Sequence, residues 1–195
     1  MGVRLGRGRD EGSPKNAERI LGVDPGTVVT GWGVVEMARG SLVHIAHGTI
    51  TTSGNVGQGK RLGRIYHALS EVFQRYQPEA VSLEKVFFAR NAQSALKLGQ
   101  ARGVVLLAAA EHGLPLHEYA STEIKQAVVG YGRAAKEQVG IMVASLLQVV
   151  GHVPTDAADA LAAAICHLHQ QTFSHRVVEA IPILSRPEKR RWTLP

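Results

Sequence analysis

Residues 20–35 read ILGVDPGTVVTGWGVV, two short apolar runs rich in β-branched residues on either side of a turn punctuated by proline and glycine. That is how a strand, a tight loop and a returning strand are written. The first run, Ile20, Leu21, Gly22 and Val23, has no polar alternation, so it suits a central strand buried on both faces. Asp24, the one charged residue of the stretch, closes that run and therefore emerges at the rim of a sheet, where α/β folds place their ligands. Asp, Pro and Gly are also the commonest turn residues. On this stretch alone, a plain turn and a functional carboxylate are equally good readings.

Working outward, the spacing predicts a returning strand over residues 31–37, a turn at Arg39 and Gly40, and a third strand over 41–50, together an antiparallel meander. A glycine-rich loop at 54–59 precedes residues 60–76, where Leu62, Ile65, Tyr66, Leu69, Val72, Phe73 and Tyr76 recur at helical spacing and Lys60, Arg61, Arg64 and Arg75 lie off the apolar stripe. After Pro78, residues 80–83 form another short buried strand that ends at Glu84, so the arrangement of Asp24 is repeated. Residues 91–112 are a long helical stretch dense in small residues, with apolar positions on more than one face. One face suits the sheet and another a second subunit, and burial within a monomer explains them nearly as well. A strand at 116–119, a helix at 122–128, a loop at 130–132 and a helix at 134–150 follow. The last structured segment, residues 155–169, reads TDAADALAAAICHLH and is expected to be a helix that carries Asp156 and Asp159 on one face. Acids in a first turn also favour the helix dipole, so taken alone this pair reads as capping.

The length of 195 residues suits one compact domain over residues 20–170. The single cysteine, Cys166, rules out an intrachain disulfide and a cysteine-based zinc site and points to a reducing, cytoplasmic compartment. No apolar run approaches the roughly 20 residues of a membrane span, so no membrane role is expected. The net charge of +6 makes a polyanion a plausible partner through counterion release. Much of that charge is peripheral. Residues 1–19 hold five Lys/Arg against three acids and residues 171–195 five against two; both read as basic flexible tails, either solubilising or in contact with nucleic acid.

Asp24, Glu84, Asp156 and Asp159 taken together change the weights. Four acids brought close repel and raise one another's pKa unless a cation lies among them, and carboxylate oxygens are the ligands that hard cations such as Mg2+ prefer. The segments Asp24-Pro25-Gly26-Thr27, Glu84-Lys85-Val86-Phe87, residues 91–103 (NAQSALKLGQARG), residues 125–130 (KQAVVG) and Asp156-Ala157-Ala158-Asp159-Ala160 occur in the order and at about the spacing of the RuvC family. From about residue 20 to residue 169 the chain resembles a bacterial RuvC, a crossover junction endodeoxyribonuclease that resolves Holliday junctions. Some relatives have a histidine where Asp156 stands, so this chain resembles the four-acid version of the pattern.

The resemblance implies an α/β, ribonuclease H-like fold with a mixed five-stranded sheet flanked by helices, and a homodimer formed through the long helix. It implies that Asp24, Glu84, Asp156 and Asp159 hold divalent metal, two Mg2+ per active site with Mn2+ able to substitute, and that Lys125 and Lys136 lie near the active site and the DNA phosphates. Phe87 falls where a side chain stacks on or wedges into the bases of a four-way DNA junction, with Phe88 beside it; a core phenylalanine is the alternative. Lys85 and Arg90 flank them as candidate phosphate contacts. Cooperation with the RuvA and RuvB branch-migration proteins is a further implication. Two rival readings are weaker. Asp-Pro-Gly-Thr after a strand also resembles the phosphate loop of the actin-like and sugar-kinase ATPases, but those use two such domains and this chain has one. The nine histidines include no pair at the usual zinc spacing and read as surface or packing residues.

Overall fold

A computed structural model describes residues 17–85 and 92–180, with side chains as far as residue 173. Three strands open the chain, β1 (Glu18–Asp24), β2 (Val29–Ala38) and β3 (Ser41–Thr51), followed by helix α1 (Gln58–Tyr76) and strand β4 (Ala80–Glu84). Helix α2 (Ala92–Glu111), strand β5 (Leu116–Tyr119) and helices α3 (Ser121–Val129), α4 (Lys136–Leu146) and α5 (Thr155–Ala180) complete it. The five strands form one sheet in the order β3-β2-β1-β4-β5. β1 pairs antiparallel with β2 and parallel with β4, β2 pairs antiparallel with β3, and β4 pairs parallel with β5. The expected mixed five-stranded sheet is therefore present, and β1 lies at its centre.

Alternation along β1 divides the core into two layers. Leu21 and Val23 join Trp32 and Val34 of β2 beneath α1 and α2, in a cluster with Ile65, Leu69, Phe73, Tyr76 and Val105. Ile20 joins Val35 on the opposite face, with Leu161, Ile165 and Leu168 of α5 and the apolar faces of α3 and α4. Ile20, Leu21 and Val23 are at most 1 % exposed, so the unbroken apolar run does mark a strand covered on both sides.

Glycines decide how closely α5 rides on that second face. A methyl carbon built on Gly22 would lie 1.8 Å from the Ala160 carbonyl oxygen, one on Gly31 1.9 Å from that of Asp156, and one on Gly33 2.5 Å from the Leu161 side chain. Glycine within a strand permits such backbone approach. With Ala157, Ala160 and Ala164 all at most 1 % exposed, helix backbone rests on sheet backbone.

Two helix boundaries differ from the expectation. The helix foreseen over 134–150 is only Lys136–Leu146. It begins where the Gln138 side chain accepts from the Ala135 N–H at 2.9 Å, and it stops because Gln148 takes a left-handed φ of 50°. The final helix, foreseen to residue 169, runs to Ala180, so residues 171–180, read as the start of a basic tail, continue α5. Residues 170–180 contain no Gly or Pro to stop the helix, which allows that continuation. The histidines of this region serve packing. His167 is buried, its Nδ1 2.6 Å from the Tyr119 hydroxyl and its Nε2 2.9 Å from Gln171 Nε2, and His169 Nδ1 donates to the Ala127 carbonyl.

Candidate active site

Asp24 is the last residue of β1 and pairs in register with Gly31, the glycine on which the backbone of Asp156 rests. Asp156 and Asp159 stand in the opening turns of α5, which begins at Thr155. Glu84 ends β4, parallel to β1 and next to it. The two strand-end acids thus come to one rim because their strands run the same way, and the two helical acids come to it because glycines draw the start of α5 down.

Electrostatics records the convergence. The Asp24 carboxyl is pushed up to about 7, chiefly by burial, then by the negative charges of Asp159 and Asp156, with a smaller push from Glu84. Lys136, the first residue of α4, pulls the other way. Its ammonium lies 2.6 Å from an Asp159 carboxylate oxygen, and this bond holds the lysine's own pKa above its usual value. Lys125, Lys136, Glu84 and Asp159 also line one cavity of about 250 Å³ with Ser121, Ile124, Val139 and Ala162. Among the described residues, no three His, Cys, Asp or Glu side chains are gathered tightly enough to hold an ion between them as they stand. The acids share a field, and Lys136 is the cation now within it.

A raised acid pKa has a consequence for stability. Between about pH 4 and pH 7 the folded chain holds a proton on Asp24 that the unfolded chain has released, so this group's contribution falls as pH rises through that window and stays low above it. The shift corresponds to at most about 4 kcal/mol. Asn in place of Asp24 is expected to recover part of this, on the order of 2 kcal/mol, or about 5 °C in Tm, at pH 8 in a chelating buffer. Near pH 4 the two proteins should melt together. Calorimetry at both pH values checks it, and an equal Tm at pH 8 would contradict the crowding of charge around Asp24.

Lys85 is exposed beside Glu84, and its N–H donates to the Tyr119 carbonyl at 2.8 Å. Phe87, Phe88 and Arg90 lie outside the described residues. Sequence reasoning assigned no role to Arg102 of α2, whose Nη1 donates to the Glu84 carbonyl at 2.9 Å while Nη2 binds the Glu118 carboxylate. It also missed Arg61, read only as lying off the apolar stripe of its helix, whose guanidinium reaches Thr52 Oγ1 at 3.0 Å and the Thr27 carbonyl, pinning the turn after Asp24. Neither arginine has a local signature. What was available was the alternation of glycines at 31 and 33 within a strand, which signals close backbone approach.

Known proteins place this arrangement. The family model described as crossover junction endodeoxyribonuclease RuvC matches residues 20–167. The crossover junction endodeoxyribonuclease RuvC of Pelobacter propionicus is 47% identical over 164 residues, covering 84% of this chain and 93% of that one. That of Oleidesulfovibrio alaskensis is 53% identical over 152 residues, 78% and 91% of the two chains. Among solved structures, T. thermophilus RuvC in complex with Holliday junction substrate superimposes with a TM-score of 0.76 at 37% identity, covering 80% of this chain and 96% of that one. The yeast mitochondrial Holliday junction resolvase Ydc2, at a TM-score of 0.62 and 12% identity over 84% and 82% of the chains, shares the fold. With a family model spanning both strand-end acids and the acids of α5, the chain belongs to the RuvC family of crossover junction endodeoxyribonucleases.

Proposed function

We propose that this protein is a metal-dependent endonuclease that resolves four-way DNA junctions by paired symmetric nicks, in homologous recombination and DNA repair. The observation that carries the reading is four acids directed to one rim: Asp24 and Glu84 end adjacent parallel strands, and Asp156 and Asp159 open the helix whose backbone lies on Gly31, the register partner of Asp24. That is a surplus of oxygen donors and negative charge at the end of a central strand, suited to a hard divalent ion. Asp24, Glu84, Asp156 and Asp159 are the proposed ligands, with Mg2+ as the ion, two per site, and Mn2+ as a substitute. Ions held there would supply activation of the attacking water and stabilisation of the leaving 3′-oxygen of a phosphodiester.

The chain's own residues supply the rest. Lys136 pairs with Asp159 and, once released from it, is proposed to face the scissile phosphate. Lys125 lines the same cavity and offers a second positive charge where negative charge develops on the phosphate oxygens. Lys85, exposed beside Glu84, is a proposed phosphate contact, as is Arg90, and Phe87 and Phe88 are proposed to stack on junction bases. Arg102 keeps the end of β4 in place through the Glu84 carbonyl. Arg102→Ala is expected to lower the cutting rate about tenfold while leaving the junction Kd within twofold. Single-turnover rates beside a binding titration separate the two effects, and an unchanged rate would remove Arg102 from any positioning role.

A homodimer through α2 is part of the proposal, supported by Leu96, Leu106 and Leu107, which are 64, 41 and 53 % exposed on that helix. Exposed leucines on one helix favour a partner surface, and two-fold symmetry in the protein would match the two-fold symmetry of paired nicks. RuvA and RuvB are the proposed branch-migration partners. No helix among the described residues is long and apolar enough to cross a membrane, and the proposed setting is the cytoplasm, where the DNA substrate lies.

The test is incubation with a synthetic four-way junction, with and without Mg2+, resolved on a denaturing gel beside linear duplex of the same sequence. Symmetric nicks in the junction alone, dependent on the ion, are expected. Equal cutting of linear duplex would overturn the junction reading, and ATP turnover in the same tube would favour the kinase-like alternative.

A further inference from the structure

On β3, an edge strand of the sheet, His44 and His47 stand ring to ring. Nε2 of His44 lies 2.8 Å from Nδ1 of His47, the ring centroids are 4.9 Å apart, and both residues are half-buried. Residues three apart in a regular strand point to opposite faces. Here the register between β2 and β3 slips, Val34 pairing with Ala46 and Val35 with His44, which leaves Ile45 as the additional residue of a bulge. A bulge turns the chain and re-aims a side chain, and this one brings His44 to the side of His47. β3 is the edge strand, so nothing in the sheet covers the pair from outside.

Burial, and then the neighbouring His47, push the pKa of His44 down to about 4, so its ring is neutral under ordinary conditions. The contact between the rings is an N–H donating to a lone pair, and neutral imidazole nitrogen is a preferred ligand of zinc, nickel and copper.

We propose that His44 and His47 form a two-ligand site for a borderline divalent transition ion of the Zn2+, Ni2+ or Cu2+ class, with water completing its coordination. The ion takes the place of the bridging proton. With His44 Nε2–H as the donor, that ring loses the proton from its facing nitrogen and takes one from water on Nδ1, so His44 stays neutral and a lone pair of each ring reaches the ion. Bonds of about 2.0–2.1 Å hold the nitrogens of two tetrahedral ligands about 3.3 Å apart, so the rings need separate by only about 0.5 Å. Among the described residues no third His, Cys, Asp or Glu completes a cluster, and the ion is therefore exchangeable. Nitrogen donors here and oxygen donors at the acidic cavity sort ions by softness. This inference does not rest on the nuclease reading.

The full chain, with Mg2+ kept saturating throughout, is titrated with Ni2+ by calorimetry and followed by thermal unfolding. His44→Gln and His47→Gln are compared with the wild type and with His112→Gln, whose ring bonds the Ala108 carbonyl instead. Ni2+ is expected to raise the Tm of the wild type and of His112→Gln, as any ligand selective for the folded state does. Each pair variant should lose one equivalent or bind it at least tenfold more weakly. In parallel, the first equivalent of Cu2+ on the wild type should give an electron paramagnetic resonance spectrum with couplings to two imidazole nitrogens. Unchanged Ni2+ binding in both pair variants would overturn the site. So would a first-equivalent Cu2+ spectrum without nitrogen coupling, a result that holds even where a variant fails to fold.

Discussion

Asn in place of Asp24 is expected to leave junction binding within a few-fold of the wild type and to lower cutting on the order of 1,000-fold or more. The change keeps the side chain's shape and removes a charge. Asp24 lies at the centre of the acidic field: it is the half-buried acid on which Asp159, Asp156 and Glu84 all act. A neutral amide there halves neither the volume nor the hydrogen bonding of the site, but it withdraws an anionic oxygen from the ligands proposed to hold two cations. Interactions that act on charge developing in the transition state are worth about 100- to 1,000-fold each, and loss of an ion forfeits more than one of them. Binding depends instead on basic groups and on contacts with phosphate. Single-turnover cleavage and a gel-shift titration of one labelled junction give the two numbers. Cutting within tenfold of the wild type would dismiss Asp24 as a ligand, and a parallel loss of binding would point to misfolding.

Ala in place of Gly31 is expected to destabilise the protein by about 3 kcal/mol or more. The new methyl would lie 1.9 Å from the carbonyl oxygen and 2.2 Å from the carbonyl carbon of Asp156. Overpacking in a core costs about 1–3 kcal/mol when side chains can give way; here the obstacle is helix backbone, so the start of α5 must lift. For a chain of this length that is a fall in Tm of about 10 °C. Cleavage should fall with it, because Asp156 itself would be moved. Thermal unfolding beside cleavage at a temperature well below both transitions checks the two effects. A Tm within 2 °C of the wild type would mean that α5 sits less closely than the backbone distances state.

The sheet was legible because its signals are local. Ile20 to Val23 has no polar alternation, and residues 116–119 are bounded by Gly113, Pro115 and a helix start; both became strands, the second with the same ends as read. Helix ends were less legible, since nothing in the sequence near Gln148 announces a left-handed residue, and the polar residues after His169 read as a tail although no Gly or Pro there stops the helix. The acids were legible as candidates from their places at strand and helix ends. That they meet depends on β1 and β4 being parallel and on glycines facing α5, facts about neighbours that no window of sequence contains. Arg102 shows the limit most plainly: its two partners, Glu84 and Glu118, are separated from it by 18 and 16 residues, and an arginine on a helix is ordinarily solvated.

Asp24 belongs to the first strand made and Asp159 to the last helix. A ribosome that has released β1 through α4 has therefore produced all five strands of the sheet and the basic cavity wall, yet neither of the two acids that crowd Asp24 most. Until α5 emerges and settles on its glycine bed, the nascent polypeptide lacks two of the four proposed metal ligands. On the proposed site, order of synthesis would thus delay any cutting until the last described helix is in place.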